Sequence, residues 1–425
     1  MDMHHRVRGA ILGTIAALCL PRAVFAQGPE DTPPEGDTAE QAPGAIAPTP
    51  SELSKEPPAK VEPKRPVADA APHHEPPATP TMTPGIDPKK WTFQPYGYLR
   101  MQYRLVQNDP NVAFVGRNDG FELQNARFGM RAVLSPRLAM VVAAEGAVDE
   151  RLEVNVPEGR MRLALRDAFA DVGLSGQLLV RAGYFVTWFD PDLDDDIRRA
   201  FVDRPIESRG VRATQGFQTG GLTPGRSLGA ALRLDPPAPS SGATVGFELA
   251  VQNGSDEYST SNDNDTPAAS ASLVLRMPKG NALVASGRFN RRTEGELPLR
   301  RDEDDFEGSA GTRLMFGPVW LAGGVVFRRT TFPTTGGPVQ NGYGAHAQLV
   351  IRIPGDTPMT VGYRFGVLDA SSLVLTDRVM EHTAGGSLAL PKLHMRFQLQ
   401  AVHAVEQGAR TLTNDRVQLA AEVVL

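Results

Sequence analysis

The chain has 425 residues, a formal net charge of −5 and one cysteine. That balance carries no basic footprint for nucleic acid, and a lone cysteine excludes a disulfide framework or a cysteine-built metal centre. Mean hydropathy is −0.26 and no long apolar run follows the N-terminus, which excludes a bundle of membrane helices but not a membrane barrel, whose strands hide apolar residues in alternation.

The first 26 residues have the zones of a secretory signal peptide. His4, His5, Arg6 and Arg8 make a cationic start, Ala10 to Leu20 is apolar, and Val24-Phe25-Ala26 places the expected cleavage between Ala26 and Gln27. Leu18 is too large for a lipoprotein signal ahead of Cys19, so the mature chain is expected to carry no cysteine. Residues 27–90 read as a disordered periplasmic linker: sixteen prolines fall between 28 and 88, with no apolar periodicity. Its Lys-Pro-rich part, Ala59 to Pro66, suggests cell-wall contact, although a passive tether explains it as simply.

From Trp91 to Leu425 the texture changes to period-2 alternation. The first strand reads Leu99, Met101, Tyr103 and Leu105 on one face, against Tyr98, Arg100, Gln102 and Arg104 on the other. The last reads Val417, Leu419, Ala421 and Val423 against Arg416, Gln418, Ala420 and Glu422. Tight turns are expected at Ser135-Pro136, Ser175-Gly176, Pro236 to Gly242, Pro278 to Gly280, Gly317-Pro318, Pro354 to Pro358 and Pro391-Lys392. Longer polar loops fall between them: Asn108 to Asp119, Glu150 to Arg160, Thr187 to Pro224, Gly254 to Thr266, Arg292 to Asp305, Phe332 to Gly342, Asp369 to Arg378 and Glu406 to Leu412. A soluble sandwich would also alternate, but its loops have no reason to sort by parity into short and long. The pattern predicts an all-β fold, a 16-stranded antiparallel transmembrane β-barrel over 91–425, with both termini on the short-turn side.

The first part of this region resembles the phosphate-selective porin family of the O/P type. The segments that carry the resemblance are Phe121 to Arg131 (FELQNARFGMR), Leu165 to Asp171 (LRDAFAD), Val180 to Phe185 (VRAGYF), Phe201-Val-Asp-Arg204 and Leu249 to Gly254 (LAVQNG), in that order. The resemblance implies a trimeric sixteen-stranded barrel whose third external loop folds into the pore. The chain departs from the family in having Val186 where a lysine is usual, in ending on Leu425 instead of an aromatic, and in holding only Lys279 and Lys392 within the barrel, both in turns. A lysine-built phosphate trap is therefore absent.

If the apolar face meets lipid, parity turns sixteen arginines to the lumen: Arg100, Arg104, Arg127, Arg131, Arg162, Arg166, Arg181, Arg233, Arg276, Arg288, Arg313, Arg328, Arg352, Arg364, Arg396 and Arg416. The inward acids read this way are few: Glu145, Glu248, Glu307, Glu381 and Glu422. Guanidinium stays charged in any setting and offers a planar fork to phosphate, sulfate or carboxylate, so such a wall favours small anions. Thr187 to Pro224 is the expected constriction. It opens with Trp188-Phe189, continues with Asp190, Asp192, Asp194, Asp195 and Asp196, and then with Arg198, Arg199, Arg204, Arg209 and Arg212. Folded inward, its acids would face the wall arginines across the pore. Asp190, Asp192 and Asp194 match the opening of an EF-hand, but Asp195 stands at its glycine and Phe201 at its final glutamate, so no EF-hand is expected.

No spacing points to a catalytic set, a metal or a cofactor. His382 and His403 fall outward near the external rim with no serine placed to act with them, and His346 and His394 are expected to face inward. Asp167 lands on the lipid face between Leu165 and Phe169. Cover by a neighbouring protomer is the favoured explanation, and a register-shifting bulge the other. The functional expectation is an outer-membrane diffusion channel for small hydrophilic solutes with anion preference, phosphate included. The alternative is a plugged barrel or adhesin that binds a partner through its external loops. Lipid, permeant anions and two further copies of the chain are the expected partners.

Overall fold

The computed structural model describes residues 91–425 apart from 113–114, 117–118, 147–162, 194–198, 213, 256–258, 260, 295–299, 334–335, 356–357, 376 and 408–410. The expected signal peptide, the linker and, among the candidate pore residues, Arg162, Asp194, Asp195, Asp196 and Arg198 lie outside the described residues.

The described residues form sixteen strands. The first eight are β1 (Thr92–Val106), β2 (Gly120–Ser135), β3 (Leu138–Gly146), β4 (Leu163–Ser175), β5 (Leu178–Phe185), β6 (Ser227–Leu234), β7 (Thr244–Gln252) and β8 (Ala268–Arg276). They continue as β9 (Ala282–Glu294), β10 (Arg301–Phe316), β11 (Val319–Thr331), β12 (Gln340–Ile353), β13 (Met359–Asp369), β14 (Arg378–Leu390), β15 (Met395–Gln407) and β16 (Arg416–Val424). Each pairs antiparallel with its neighbours, and β1 pairs with β16 from Tyr98–Val424 to Val106–Arg416, so the sheet closes on itself. Closure leaves no unpaired edge, which is the condition for placing strands in a medium without water. Short turns join the strands at one end and long connections at the other, with both strand termini at the short-turn end, as the loop parity predicted.

Sequence alternation becomes a two-faced wall. On β1, Leu99, Met101 and Leu105 are about half exposed, whereas Arg100, Gln102 and Arg104 are 1–2% exposed. An exterior this apolar is stable only against lipid or another apolar surface. The parity breaks where strands bulge. Between β3 and β4 the register steps from Ala143–Asp167 to Ala144–Leu165, leaving Arg166 as the extra residue. Leu163 and Leu165 face out before the bulge, while Phe169 lies under the Arg181 guanidinium and Asp167 bonds Arg226 at 3.0 Å. Asp167 and Phe169 therefore face inward. The bulge accounts for the misplaced charge, and no covering protomer is needed.

Between β5 and β6 the chain runs inside the wall, with one helical turn, α1 (Ile206–Arg209). Phe189, Ile206, Val211 and Leu222 pack on Val326 of β11, Leu368 of β13 and Val379 of β14. Ala200 and Phe201 pack on Trp320 and Val350 of β11 and β12. All five wall residues belong to the inward, buried parity of their strands. The two largest buried apolar clusters among the described residues thus form a strip between the inner segment and β11–β14.

Candidate functional site

The inward arginines are held mainly by acids on adjacent strands. Arg100 and Arg396 share Glu422, with Arg100 Nε at 2.8 Å and Arg396 Nη2 at 2.9 Å. Arg104 reaches Glu122 at 2.8 Å, Arg127 reaches Glu145 at 3.2 Å, and Arg166 meets that same Glu145. Arg181 grips Asp171 with both arms of its fork, at 2.7 and 2.8 Å. Arg233 pairs with Glu248, Arg276 with Asp235 at 2.6 Å, and Arg288 with Glu307 at 2.7 Å. Several of these pairs stand directly opposite across two strands, Arg100 and Glu422, Arg127 and Glu145, Arg181 and Asp171, Arg233 and Glu248, and Arg288 and Glu307 among them. Direct opposition is the geometry in which cross-strand charges interact best.

Other arginines behave differently. Arg313 donates to the carbonyls of Gly280 and Leu193, each at 3.0 Å. Arg364 donates to the carbonyls of Asp203 and Arg204, at 3.0 and 3.3 Å. Arg131 and Arg328 form no ion pair with a described carboxylate and are only partly buried. Arg352 is exposed at the short-turn end of β12.

The inner acids are more numerous than the sequence suggested, because Glu122, Asp171, Glu303 and Asp305 also face inward and are bonded to arginine or threonine. Inward parity does not hold for His394, which sits exposed in the β14–β15 turn with φ 51°. His346 is buried and bonded to Glu207 of the inner segment.

The inner segment is fixed along its length by wall side chains. Ser286 donates to the Trp188 carbonyl at 2.8 Å, Arg396 to the Arg199 carbonyl at 3.0 Å, and Gln124 to the Val202 carbonyl at 3.2 Å. The Val202 N–H donates to Gln400 Oε1 at 2.8 Å. Its charges pair partly among themselves: Asp190 with Arg204 and Asp192 with Arg199, each at 3.6 Å. Arg212 lies 3.6 Å from Glu122, and Arg209 binds Glu381. Asp203, which no charge-pattern reading picked out, is a buried anchor of the segment. It accepts from Gln400 and Gln418 at 3.0 Å each and from Arg416 at 3.3 Å, while Arg416 also holds Glu381 at 2.8 Å. Burial pushes the Asp203 carboxyl up, but the charges of Arg209, Arg416, Arg104 and Arg212 outweigh it and hold the group well below the usual carboxylate range.

Glycine was the sequence signal for this contact. A Cβ at Gly311 of β10 would meet the Pro191 carbonyl oxygen at 2.1 Å, and one at Gly344 of β12 would meet Glu207 Cβ at 2.3 Å. Bare positions inside strands mark where another backbone comes close. As a result the inner wall is covered unevenly. Arg364, Gln398, Gln418 and Glu422 of β13–β16 are almost fully buried, whereas Arg127, Arg166 and Glu145 of β2–β4 keep 11–14% of their side-chain surface and Arg396 of β15 keeps 13%.

On the outer face, His382 and His403 are direct cross-strand partners. Their Nδ1 atoms bond the Tyr363 hydroxyl at 2.6 Å and the Asp415 carboxylate at 2.8 Å. Ser372 takes a hydrogen bond from the Asn341 N–H at 2.9 Å, apart from both rings.

No known protein family and no curated protein matches the sequence. Solved structures do match the barrel. An anion-selective porin from Comamonas acidovorans aligns with a TM-score of 0.55 at 14% identity, over 79% of this chain and 100% of that one. The outer membrane channel DcaP of Acinetobacter baumannii gives 0.52 at 11% identity, over 79% and 97%. This is the porin fold. OmpT, an outer membrane protein of Vibrio cholerae, in its trimer form, gives 0.52 at 12% identity, over 79% and 99%. A porin fold of sixteen strands encloses more room than wall side chains fill, which is why the described residues between β5 and β6 fit inside it.

Proposed function

We propose that the chain is an outer-membrane porin, a water-filled diffusion channel for small hydrophilic solutes that favours anions, phosphate among them. In this reading the signal peptide is removed, the Pro-rich linker stays in the periplasm, and three copies assemble. The segment between β5 and β6 is the constriction. The observation that carries the reading is that, among the described residues, Arg131 and Arg328 lie on the inner face, partly exposed, with no ion pair to a described carboxylate. Solute passes along the less covered β2–β4 side, where Arg127, Arg131 and Arg166 are within reach. Each guanidinium offers a planar fork to an oxyanion, and charges act over about 8 Å at physiological salt, so neighbouring sites hand the ion on. Because most wall arginines are matched by acids, the preference is modest and no single site traps the anion.

The experiment is a planar bilayer holding the purified protein under a KCl gradient. Open steps with a reversal potential on the chloride side, and a conductance reduced by phosphate, are expected. A potential on the potassium side refutes the anion reading. Silent bilayers support the second reading, a plugged barrel acting through its loops, which is favoured by one feature: residues 199–212 are buried almost throughout.

A further inference from the structure

The geometry points to a transition-metal site on the outer face of the barrel, made by His382 and His403 and independent of conduction. The two rings project from adjacent strands at one register position, with centroids 6.2 Å apart and planes 30° from parallel. Two imidazoles sharing one zinc through Nε2, with Zn–N near 2.0–2.1 Å, have centroids about 5 Å apart. The remaining gap of about 1 Å closes by small side-chain rotations.

What separates this pair from two surface histidines is how each ring is held. Asp415, a carboxylate, can only accept, so the 2.8 Å bond fixes the proton of His403 on Nδ1 and leaves Nε2 as a lone pair. His382 meets the Tyr363 hydroxyl through Nδ1 at 2.6 Å, and with Nε2 on a metal its own Nδ1–H donates to that hydroxyl oxygen. Phe365 packs its ring 5.2 Å from the His382 ring and fixes its tilt. A carboxylate or hydroxyl behind each ring is the arrangement that orients metal-binding imidazoles and raises their basicity. In front of the rings, Ala384 and Ala401 are too short to fill the wall and leave a depression of about 570 Å³. His403 and Asp415 are 62% and 50% exposed, so the depression opens outward. An all-nitrogen pair suits Zn2+, Cu2+ or Ni2+ and not Ca2+ or Mg2+, with water completing the shell.

The test uses full-length protein carrying His73→Ala and His74→Ala, which removes the adjacent histidines of the linker. Zinc is titrated calorimetrically into the detergent-solubilised barrel, and the barrel's heat-modifiable gel mobility confirms its fold. One Zn2+ per chain is expected above any other binding, with its affinity reduced at least about tenfold by His382→Ala or by His403→Ala, and about tenfold by Asp415→Asn. Zinc binding that is unchanged in the double variant, or absent in the parent, overturns the proposal. Cu2+ electron paramagnetic resonance on the parent decides it even where a variant fails to fold: two imidazole nitrogens on the bound copper support the site, and one or none refutes it. Conductance is unaffected in either case, so this result is separable from the channel reading.

Discussion

Replacing Asp203 with asparagine tests what holds the inner segment against the wall. The carboxylate accepts two glutamine N–H groups at 3.0 Å and the Arg416 guanidinium at 3.3 Å, and it lies 2% exposed. An asparagine amide in its place would offer one acceptor where there were two, and would turn its own N–H donors toward guanidinium and glutamine donors. It would also leave Arg104, Arg209, Arg212 and Arg416 facing Glu381 and Glu122 alone. Removing one partner from a buried charge cluster costs about 3–5 kcal/mol, against at most about 1 kcal/mol for an exposed pair. At about 1.4 kcal/mol per factor of ten, that shifts the segment toward a detached state by roughly two to three and a half orders of magnitude. Single-channel recording of Asp203→Asn should show larger and noisier open steps, and one fewer negative charge inside should move the reversal potential further toward chloride. Asp190→Asn is the control, since its partners Arg204 and Ser208 belong to the segment itself. If Asp203→Asn conducts as the parent does in size, noise and reversal potential, the segment is not held by this cluster and the reasoning fails.

The same carboxylate sets a pH expectation. Its folded value is depressed, so its contribution is complete above the unfolded value near about 3.9 and is lost only as pH falls through the lower folded one. The difference in conductance between the parent and Asp203→Asn should therefore be the same at pH 8 and at pH 5, and a difference that titrates within that window would contradict the assignment. Arg131→Gln should move the reversal potential toward potassium with little loss of thermal stability, because Arg131 forms no ion pair with a described carboxylate and the nearby Asp171 is held by both arms of Arg181. Asp167→Leu should destabilise the barrel by about 3–5 kcal/mol, by removing a buried carboxylate that faces Arg226, Arg166 and Arg127; equal or greater stability in a denaturant series would return Asp167 to the lipid face. Gly311→Val should push Pro191 off the wall and change conductance while the strands still close.

The barrel was legible because its surroundings repeat one demand at every step. Apolar residues alternate on β1 and β16 since one face must avoid water, and loop lengths sort by parity since all short turns share one end. What escaped was whatever depends on one residue more or less. Arg166, the extra residue in β4, flips Asp167 and Phe169 inward, and nothing in LRDAFAD marks it. The ion pairs were closer to legible. Asp171 and Arg181 stand opposite across the Ser175–Leu178 turn, so counting outward from a tight turn finds them. Asp203 could not be found that way, since its partners on β15, β16 and the inner segment are joined only by closure of the whole sheet.

These pairings change what an arginine-rich wall means. A guanidinium bonded to a carboxylate inside the barrel is structural: its fork is spent on Asp171 or Glu422, and its charge is cancelled within a few ångströms. Replacing such a residue should cost stability before it alters selectivity. In the proposed channel, selectivity would instead reside where an inward guanidinium has no described carboxylate to pair with, as at Arg131 and Arg328. Glu145 is an informative acid on the wall. Its change to glutamine would remove the carboxylate charge that both Arg127 and Arg166 meet, so in the proposed channel anion preference should rise.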